Sequence, residues 1–130
     1  MEVFRKAGEK SFVDELAQTV RENHTEAVED SSDEELKEYV RIGIARARSH
    51  GLIFEDTITV FVRLMFDIAP NFDEQANIAR MLNDERLEPD DRIELVLEGA
   101  SEEDWAEAES LYDENAWEEN RNAGQTENNN

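Results

Sequence analysis

Residues 36–73, LKEYVRIGIARARSHGLIFEDTITVFVRLMFDIAPNFD, are the stretch of this chain that decides its fold. Two apolar-periodic segments lie within it, separated by Gly51 and closed by Pro70, and the rest of the chain is strongly polar. In the first segment a stripe of apolar or small residues recurs at helical spacing. This spacing predicts an amphipathic helix over about residues 33–50. The stripe is Leu36, Val40, Gly43, Ile44 and Ala47.

The ends of this helix are also marked in the sequence. Ser32 is followed three positions later by Glu35, the pattern of a capping box, and Gly51 stands where a left-handed residue closes a helix. Gly43 lies in the middle of the stripe and costs about 1 kcal/mol of helix propensity relative to alanine. We therefore expect that a neighbouring helix approaches closely at Gly43.

The second segment, residues 55–69, is apolar on nearly every side. Its β-branched residues are also compatible with a strand. Its length and the acidic residues Glu55 and Asp56 at its start favour a helix, because acids stabilise the positive end of the helix dipole. The segment is therefore predicted to be a central buried helix that ends at Pro70.

The remaining sequence predicts further helices around this pair. Two are expected at about residues 10–23 and 89–98. A third is expected to begin with a cap at Asp73 and to end at residue 82, and a fourth, acidic helix to begin with a cap at Ser101 and to cover about residues 101–118. Residues 24–31 are interpreted as a connection, and the Asn-rich residues 120–130 as a disordered tail. The predicted fold is all-α, a compact bundle of five to six helices in one domain over residues 1–119.

The charge of the chain is large and uneven. The 130 residues include 34 acidic and 13 basic side chains, a formal net charge of −21. Residues 1–83 carry 17 acids and 10 bases (net −7), and residues 84–130 carry 17 acids and 3 bases (net −14). Such a field repels nucleic acid and anionic lipid and attracts basic protein surfaces. The composition is also poor in lysine, so adaptation of the surface to a saline environment is an open alternative.

Several classes of protein are excluded or disfavoured by what the sequence lacks. No apolar run approaches 18 residues, so no membrane span is expected, and the absence of cysteine excludes disulfides and thiolate sites. The first residues have no apolar segment of the signal-peptide type, and a cytoplasmic location is expected. Neither His24 nor His50 belongs to the Glu-x-x-His pattern of di-iron bundles, and no calcium loop, phosphate loop, zinc motif or nucleophile elbow occurs. Carboxylate pairs such as Asp90 and Asp91 lie at predicted helix starts, where a structural role is favoured. We expect a non-enzymatic protein with no cofactor or metal.

A basic island is the first candidate for binding. Arg41, Arg46 and Arg48 lie in a stretch with no acid between Glu38 and Glu55. Arg41 and Arg48, seven residues apart, share a helix face, while Arg46 points elsewhere. The island is interpreted either as a clamp for an acidic segment of a partner or as a set of internal ion pairs with the chain's own carboxylates.

Aromatic residues at the end of the central helix are the second candidate. Phe66 and Phe72 flank Pro70, which makes a rigid turn between the two rings. Two aromatic rings beside a rigid turn are typical of anchors for a partner protein. The alternative is that both rings pack in the hydrophobic core, where most phenylalanines lie.

The acidic C-terminal segment is the third candidate. Trp105, Tyr112 and Trp117 lie in it, and Trp105 and Tyr112, seven residues apart, can share one helix face. An acidic amphipathic helix with aromatic anchors suits docking in a basic groove of a partner. Equally, the helix is expected to pack back on its own bundle.

Part of the chain resembles a known protein family. The pattern YVRIGIARARSHGL…FVRLMFDIAPNFDEQ, preceded by SFVDELAQTV, resembles a group of small helical bacterial proteins often encoded beside type VI secretion spike proteins, effectors and adaptor chaperones. Two positions depart from that pattern, since an aromatic usually stands at His50 and a glycine at Ala69. The resemblance covers about residues 10–100. The matching positions are Gly43, Ile44, Arg46, Ala47, His50, Gly51, Leu52, Leu64, Met65, Phe66, Pro70, Phe72 and Asp73.

The resemblance implies a partner protein in an effector-delivery locus, and two hypotheses follow. The first is a non-enzymatic binding protein, an adaptor, chaperone or immunity factor for a type VI effector or spike component, with no direct contact to nucleic acid or membrane. The second is an acidic DNA-mimic inhibitor that occupies the basic site of a nuclease or DNA-binding protein, for which the net charge of −21 is the motivation.

Overall fold

A computed structural model describes residues 10–117 of the chain, and these residues fold into seven α-helices and one 3₁₀ turn, with no strand among them. The predicted all-α class is confirmed. The predicted disordered tail, 120–130, lies outside the described residues. The helices are α1 (Lys10–Asn23), α2 (Thr25–Val28), α3 (Asp33–Ser49), α4 (Glu55–Asp67), α5 (Ala76–Leu82), α6 (Pro89–Gly99) and α7 (Glu102–Ser110), with the 3₁₀ turn at Phe72–Glu74 between α4 and α5.

The start and the end of α3 are built as the sequence predicts. The Ser32 hydroxyl accepts a hydrogen bond from the Glu35 backbone N–H at 3.1 Å, and the Glu35 carboxylate accepts one from the Ser32 N–H at 2.9 Å. This reciprocal capping box satisfies two backbone donors that the first turn leaves free. After the helix, Gly51 has a φ of +92°, the left-handed region in which glycine has no steric penalty.

Close contact between α3 and α4 forms the centre of the fold. A Cβ atom placed on Gly43 would lie 3.1 and 3.2 Å from the two methyl groups of Val62 and 3.3 Å from the sulfur of Met65. The predicted close approach of a neighbouring helix at Gly43 is therefore confirmed, and the neighbour is α4. Only glycine permits this separation without displacing the buried Val62 side chain.

The hydrophobic core surrounds α4. Helix α3 packs along α4 and α1, while α5 and α6 pack against each other and α6 also contacts α4. Burial of this apolar surface is the main source of stability. No helix within the described part of the chain has the length and apolar content needed to cross a bilayer. The largest fully buried side chains include Phe61, Phe72, Leu16, Leu36, Leu52, Ile58, Met65, Ile78 and Leu82.

Several predicted boundaries are wrong. The short helix α2 lies in residues that were interpreted as a connection. Helix α4 ends at Asp67 and not at residue 69, because a proline disfavours helical backbone at the residue before it. Asp73 caps no helix. Instead, the Gln75 side chain accepts a hydrogen bond from the Ile78 N–H at 2.9 Å and caps α5.

The acidic helix predicted over residues 101–118 is shorter than expected. Ser101 forms a capping box with Asp104, as the sequence predicts, but α7 ends at Ser110. A turn follows, and a new helical turn begins before Trp117, the last described residue. The turn changes the direction of the chain after Leu111, so the aromatic residues of this segment do not share one helix face.

Candidate functional site

A buried ion-pair network joins the end of α3 to the 3₁₀ turn. Arg46 donates from Nε to Asp73 Oδ2 at 2.9 Å and from Nη2 to Asp73 Oδ1 at 2.8 Å. His50 Nε2 donates to Asp73 Oδ2 at 2.7 Å, and Arg46 Nη2 also lies 3.2 Å from Glu74 Oε2. Arg46 is 9% exposed and Asp73 is 6% exposed. The guanidinium of Arg46 is thus engaged by internal carboxylates, which leaves little of it for a partner.

The network holds both of its main partners in their charged forms. Burial alone would raise the pKa of Asp73, but the hydrogen bonds from His50 and Arg46 and the charge of Arg46 outweigh it and hold that pKa below its usual value. Burial likewise opposes the charge of Arg46, and the hydrogen bonds to Asp73 and Glu74 outweigh it and raise the pKa of Arg46. We interpret the network as a structural link, since Arg46 and Asp73 are both buried and each neutralises the charge of the other.

The structure separates the three arginines of the basic island. Arg46 is buried, whereas Arg41 and Arg48 are both exposed. Nη1 of Arg41 lies 3.5 Å from Glu38 Oε1, one turn earlier on α3. The island therefore consists of one internal arginine and two surface arginines.

The predicted binding residues at and after the end of α4 also differ in their burial. Pro70 and Phe72 are buried, and the ring centroid of Phe72 lies 4.9 Å from that of Phe61 in the core. Trp105 is half-buried, with its ring centroid 6.4 Å from that of Phe72. Phe66 is half-buried at the surface of the bundle. Of the three residues at the end of α4, only Phe66 is placed to contact a partner.

Phe66 is part of an aromatic cluster with residues from distant parts of the sequence. The ring centroid of Trp117 lies 5.0 Å from that of Phe66 and 5.1 Å from that of Tyr39 on α3. Trp117 is 8% exposed, so most of its indole is packed against the bundle, as one of the two sequence interpretations expects. Tyr39 is 37% exposed and Tyr112 is 54% exposed. Large exposed aromatic surface beside a packed tryptophan is typical of contact sites.

The cluster lines a groove of about 570 Å³ between α3, the end of α4 and residues 112–117. Three of the predicted binding residues, Phe66, Tyr112 and Trp117, converge there, while the other six lie elsewhere. Four glutamates line the groove, and no lysine or arginine is among its described lining residues. We call it the acidic groove. Its lining residues are Val28, Ser31, Glu34, Glu35, Glu38, Tyr39, Ile42, Met65, Phe66, Tyr112, Glu114 and Trp117.

Asn71 fixes the C-terminal wall of the acidic groove. This buried side chain donates from Nδ2 to the Leu111 carbonyl at 3.0 Å and accepts from the Asp113 N–H at 2.9 Å. These bonds end α7 and direct the chain toward Tyr39 and Phe66, because a buried amide side chain that satisfies two backbone groups defines their position.

Gln75 anchors α7 itself to the same turn. Its Nε2 donates to Asp104 Oδ1 at 3.2 Å and to Glu107 Oε1 at 2.7 Å. Asn77 Nδ2 also donates to Asp104 Oδ1, at 2.9 Å. The Ser101 N–H and the Asn77 side chain hold the pKa of Asp104 below its usual value. The most acidic segment is therefore attached to the bundle by neutral amide donors.

The sequence interpretation missed several residues of the groove. Tyr39 and the glutamates at 34, 38 and 114 were not identified as site residues. One signal was available for Tyr39, since it is an aromatic residue outside the apolar stripe of its own helix, where a polar residue is expected. The glutamates carry no such signal in a chain with 34 acidic residues.

The described residues give no indication of a metal site at the groove. No group of three or more His, Asp or Glu side chains within residues 10–117 is placed to hold a metal ion. In comparisons with known proteins, no family model, curated protein or solved structure matches the chain. Function is therefore inferred from the chemistry of the groove and from the residues that carry the resemblance.

Proposed function

We propose that this protein is a non-enzymatic binding module of the cytoplasm, an adaptor, chaperone or immunity-type partner of a type VI secretion effector or spike component. The acidic groove is its contact surface. The observation that carries the proposal is the convergence of Phe66, Tyr112 and Trp117, from two separate parts of the chain, beside four glutamates.

The chemistry of the groove supports protein binding. Tyr and Trp dominate the energetics of protein interfaces because they present a large apolar area and a polar group with little entropy to lose. The surrounding carboxylates favour a partner with a basic surface and accelerate its approach. A groove with both features can bind tightly at its aromatic centre and select by charge at its rim.

The residues that carry the family resemblance have a structural role that fits this proposal. Gly43 permits the close packing of α3 on α4, Gly51 closes α3, and Arg46 with Asp73 ties α3 to the turn after α4. They build the scaffold on which Tyr39 and Phe66 are displayed. The resemblance supplies the class of partner, and the groove supplies a surface suited to it.

Capture of partners from the native host tests the proposal. The tagged protein is incubated with host lysate at low salt, and bound proteins are identified by mass spectrometry. We expect an effector or a spike component, with recovery reduced at high salt because screening weakens exposed charge pairs. Recovery of no product of a neighbouring gene at low salt would contradict the proposal.

A DNA-mimic inhibitor is the second candidate, favoured by a row of exposed carboxylates. Asp91, Glu94 and Glu98 are exposed at spacings of three and four residues along α6, so they share one helix face. This candidate predicts that the protein competes with DNA for a nuclease or DNA-binding protein. Recovery of such proteins from the lysate, with competition by DNA, would favour it over the adaptor.

A further inference from the structure

We infer that the acidic groove accepts a short basic amphipathic helix of the partner protein. The apolar side of that helix would lie on Ile42, Met65 and Phe66, and its lysines or arginines would face Glu34, Glu38 and Glu114. The inference rests on the proposed function, since it names the chemistry of the partner segment that the binding module would hold.

The charge of the groove selects the sign of its ligand. Glu34 and Glu38 stand on the α3 side, and Glu114 stands on the opposite side, in the C-terminal segment. Among the described residues, neither Glu34 nor Glu114 takes part in an ion pair. A helix between the two walls would therefore meet carboxylates on both sides, and cationic side chains would satisfy them.

The length of the groove along α3 corresponds to about two turns of helix. From Glu34 to Ile42 the axis of α3 advances by about 12 Å, at about 1.5 Å per residue. A ligand helix of that length presents apolar residues at positions i, i+3 or i+4 and i+7. Buried Ile42 and Met65 and half-buried Phe66 provide the apolar floor on which such a stripe can pack.

The exposed tyrosines add a second reason for a cationic ligand. Tyr39 and Tyr112 line the groove with much of their side chains accessible. The face of an aromatic ring attracts an ammonium or guanidinium group, and the attraction grows when the site excludes water. Other occupants fit less well, because a second copy of this chain would bring a further net charge of −21 to an acidic surface.

Fluorescence of Trp117 provides a local test with a defined peptide. Because the chain has two tryptophans, the Trp105→Phe variant leaves Trp117 as the only indole. The probe is a 12-residue amidated peptide with leucines at i, i+3, i+4 and i+7 and lysines elsewhere. We expect a saturable change in Trp117 emission. No change with this peptide, or an equal change with peptides that carry glutamate for lysine or serine for leucine, would overturn the inference.

Matched charge variants separate the groove from general attraction to an acidic protein. Glu34→Gln/Glu114→Gln removes two charges from the groove, and Glu94→Gln/Glu98→Gln removes two exposed charges from α6. We expect the groove variant to weaken peptide binding about fivefold to tenfold, and the α6 variant to weaken it less than about twofold. Equal weakening by the two variants would overturn the inference.

The outcomes for the peptide and for the proposed function are distinguishable. If host lysate yields an effector or spike partner but the peptide does not bind at Trp117, the binding function stands and the helical ligand is wrong. If the peptide binds at Trp117 in the expected way and the lysate yields no such partner, the groove chemistry stands and the assignment to effector delivery is wrong.

Discussion

Arg46 and Asp73, which are 27 residues apart, are joined by two charge-assisted hydrogen bonds of 2.9 and 2.8 Å in the interior of the bundle. The pair fixes the turn after α4 against α3. Asn71 and Gln75, on either side of Asp73, use the same turn to hold residues 104–113. One short turn therefore connects the core of the fold to the C-terminal wall of the acidic groove.

Replacement of Arg46 is expected to destabilise the fold strongly. Arg46→Met leaves the buried Asp73 carboxylate with His50 as its main side-chain donor, and an uncompensated buried charge costs about 3 kcal/mol or more. Urea unfolding at pH 7 measures the change in the free energy of unfolding. The control is Arg41→Met, an exposed arginine on the same helix, for which less than about 0.5 kcal/mol is expected. Equal effects of the two substitutions would contradict the structural role of the pair.

Acid is expected to destabilise the protein through Asp73. Its folded-state pKa lies below the usual value of 3.8, so its stabilising effect is complete above about pH 4 and is lost as the pH falls through the folded-state pKa. Asp73→Asn should lower the free energy of unfolding at pH 7 and make its decline below pH 4 shallower. Two other carboxyl groups also have lowered pKa values, Asp84, whose pKa Arg86 lowers to about 2, and Asp104. Both are present in the wild type and in the Asp73→Asn variant, so they contribute equally to the acid sensitivity of the two proteins. The free energy of unfolding is measured by urea titration at each pH. If it falls in parallel for the wild type and the Asp73→Asn variant below pH 4, Asp73 is not the origin of the acid sensitivity.

Loss of the Asn71 side chain is expected to loosen the C-terminal wall selectively. Asn71→Ala removes the partners of the Leu111 carbonyl and the Asp113 N–H, at a cost of about 1–3 kcal/mol. Hydrogen exchange by mass spectrometry should show faster exchange in residues 111–117, with α3 and α4 protected. The matched variant Asn83→Ala removes an exposed amide at the end of α5 and should leave residues 111–117 unchanged. Uniform exchange across the chain of the Asn71 variant would contradict this local role.

A side chain at Gly51 is expected to destabilise the fold. Gly51→Ala forces alanine into the left-handed region, which costs about 1–2 kcal/mol, and its Cβ would lie 2.9 and 3.0 Å from two carbons of the Pro89 ring. Thermal unfolding should therefore show a lower Tm. The comparison is Gly99→Ala at the end of α6, where the new Cβ meets the flexible Met81 side chain, and a change within about 0.5 kcal/mol is expected. A variant at Gly51 as stable as the wild type would exclude this reason for glycine.

The sequence predicts the α3–α4 pair well because its signals are local. The Ser32 capping box, the left-handed Gly51 and the apolar stripe each act within a few residues. Even the close approach of a neighbouring helix at Gly43 is predictable, since an unfavourable glycine inside an apolar stripe indicates that something must pack closely against it. The structure adds the identity of that helix, α4, and of the residues in contact, Val62 and Met65.

The groove depends on contacts between residues far apart in the chain, which local patterns do not contain. Helix α7 ends where Asn71, about forty residues earlier, binds the Leu111 carbonyl, and neither residue predicts the other. Phe66 and Trp117 are identified as candidates from their local sequence, but their meeting at 5.0 Å depends on that turn. Asp73 has the pattern of a helix cap and is instead held by Arg46, because a buried guanidinium requires a carboxylate more strongly than a short helix requires a cap.

Side-by-side capture from host lysate at low salt tests the central claim most directly, with two matched triple variants beside the wild type. The groove variant is Glu34→Gln/Tyr112→Ala/Glu114→Gln. The control, Glu94→Gln/Leu97→Ala/Glu98→Gln, removes the same charge and an equally exposed apolar side chain, since Leu97 is 49% and Tyr112 is 54% exposed. We expect the wild type and the control to retain an effector or spike component and the groove variant to lose it. Equal recovery by both variants, or none by the wild type, would contradict the assignment of the acidic groove as a partner site.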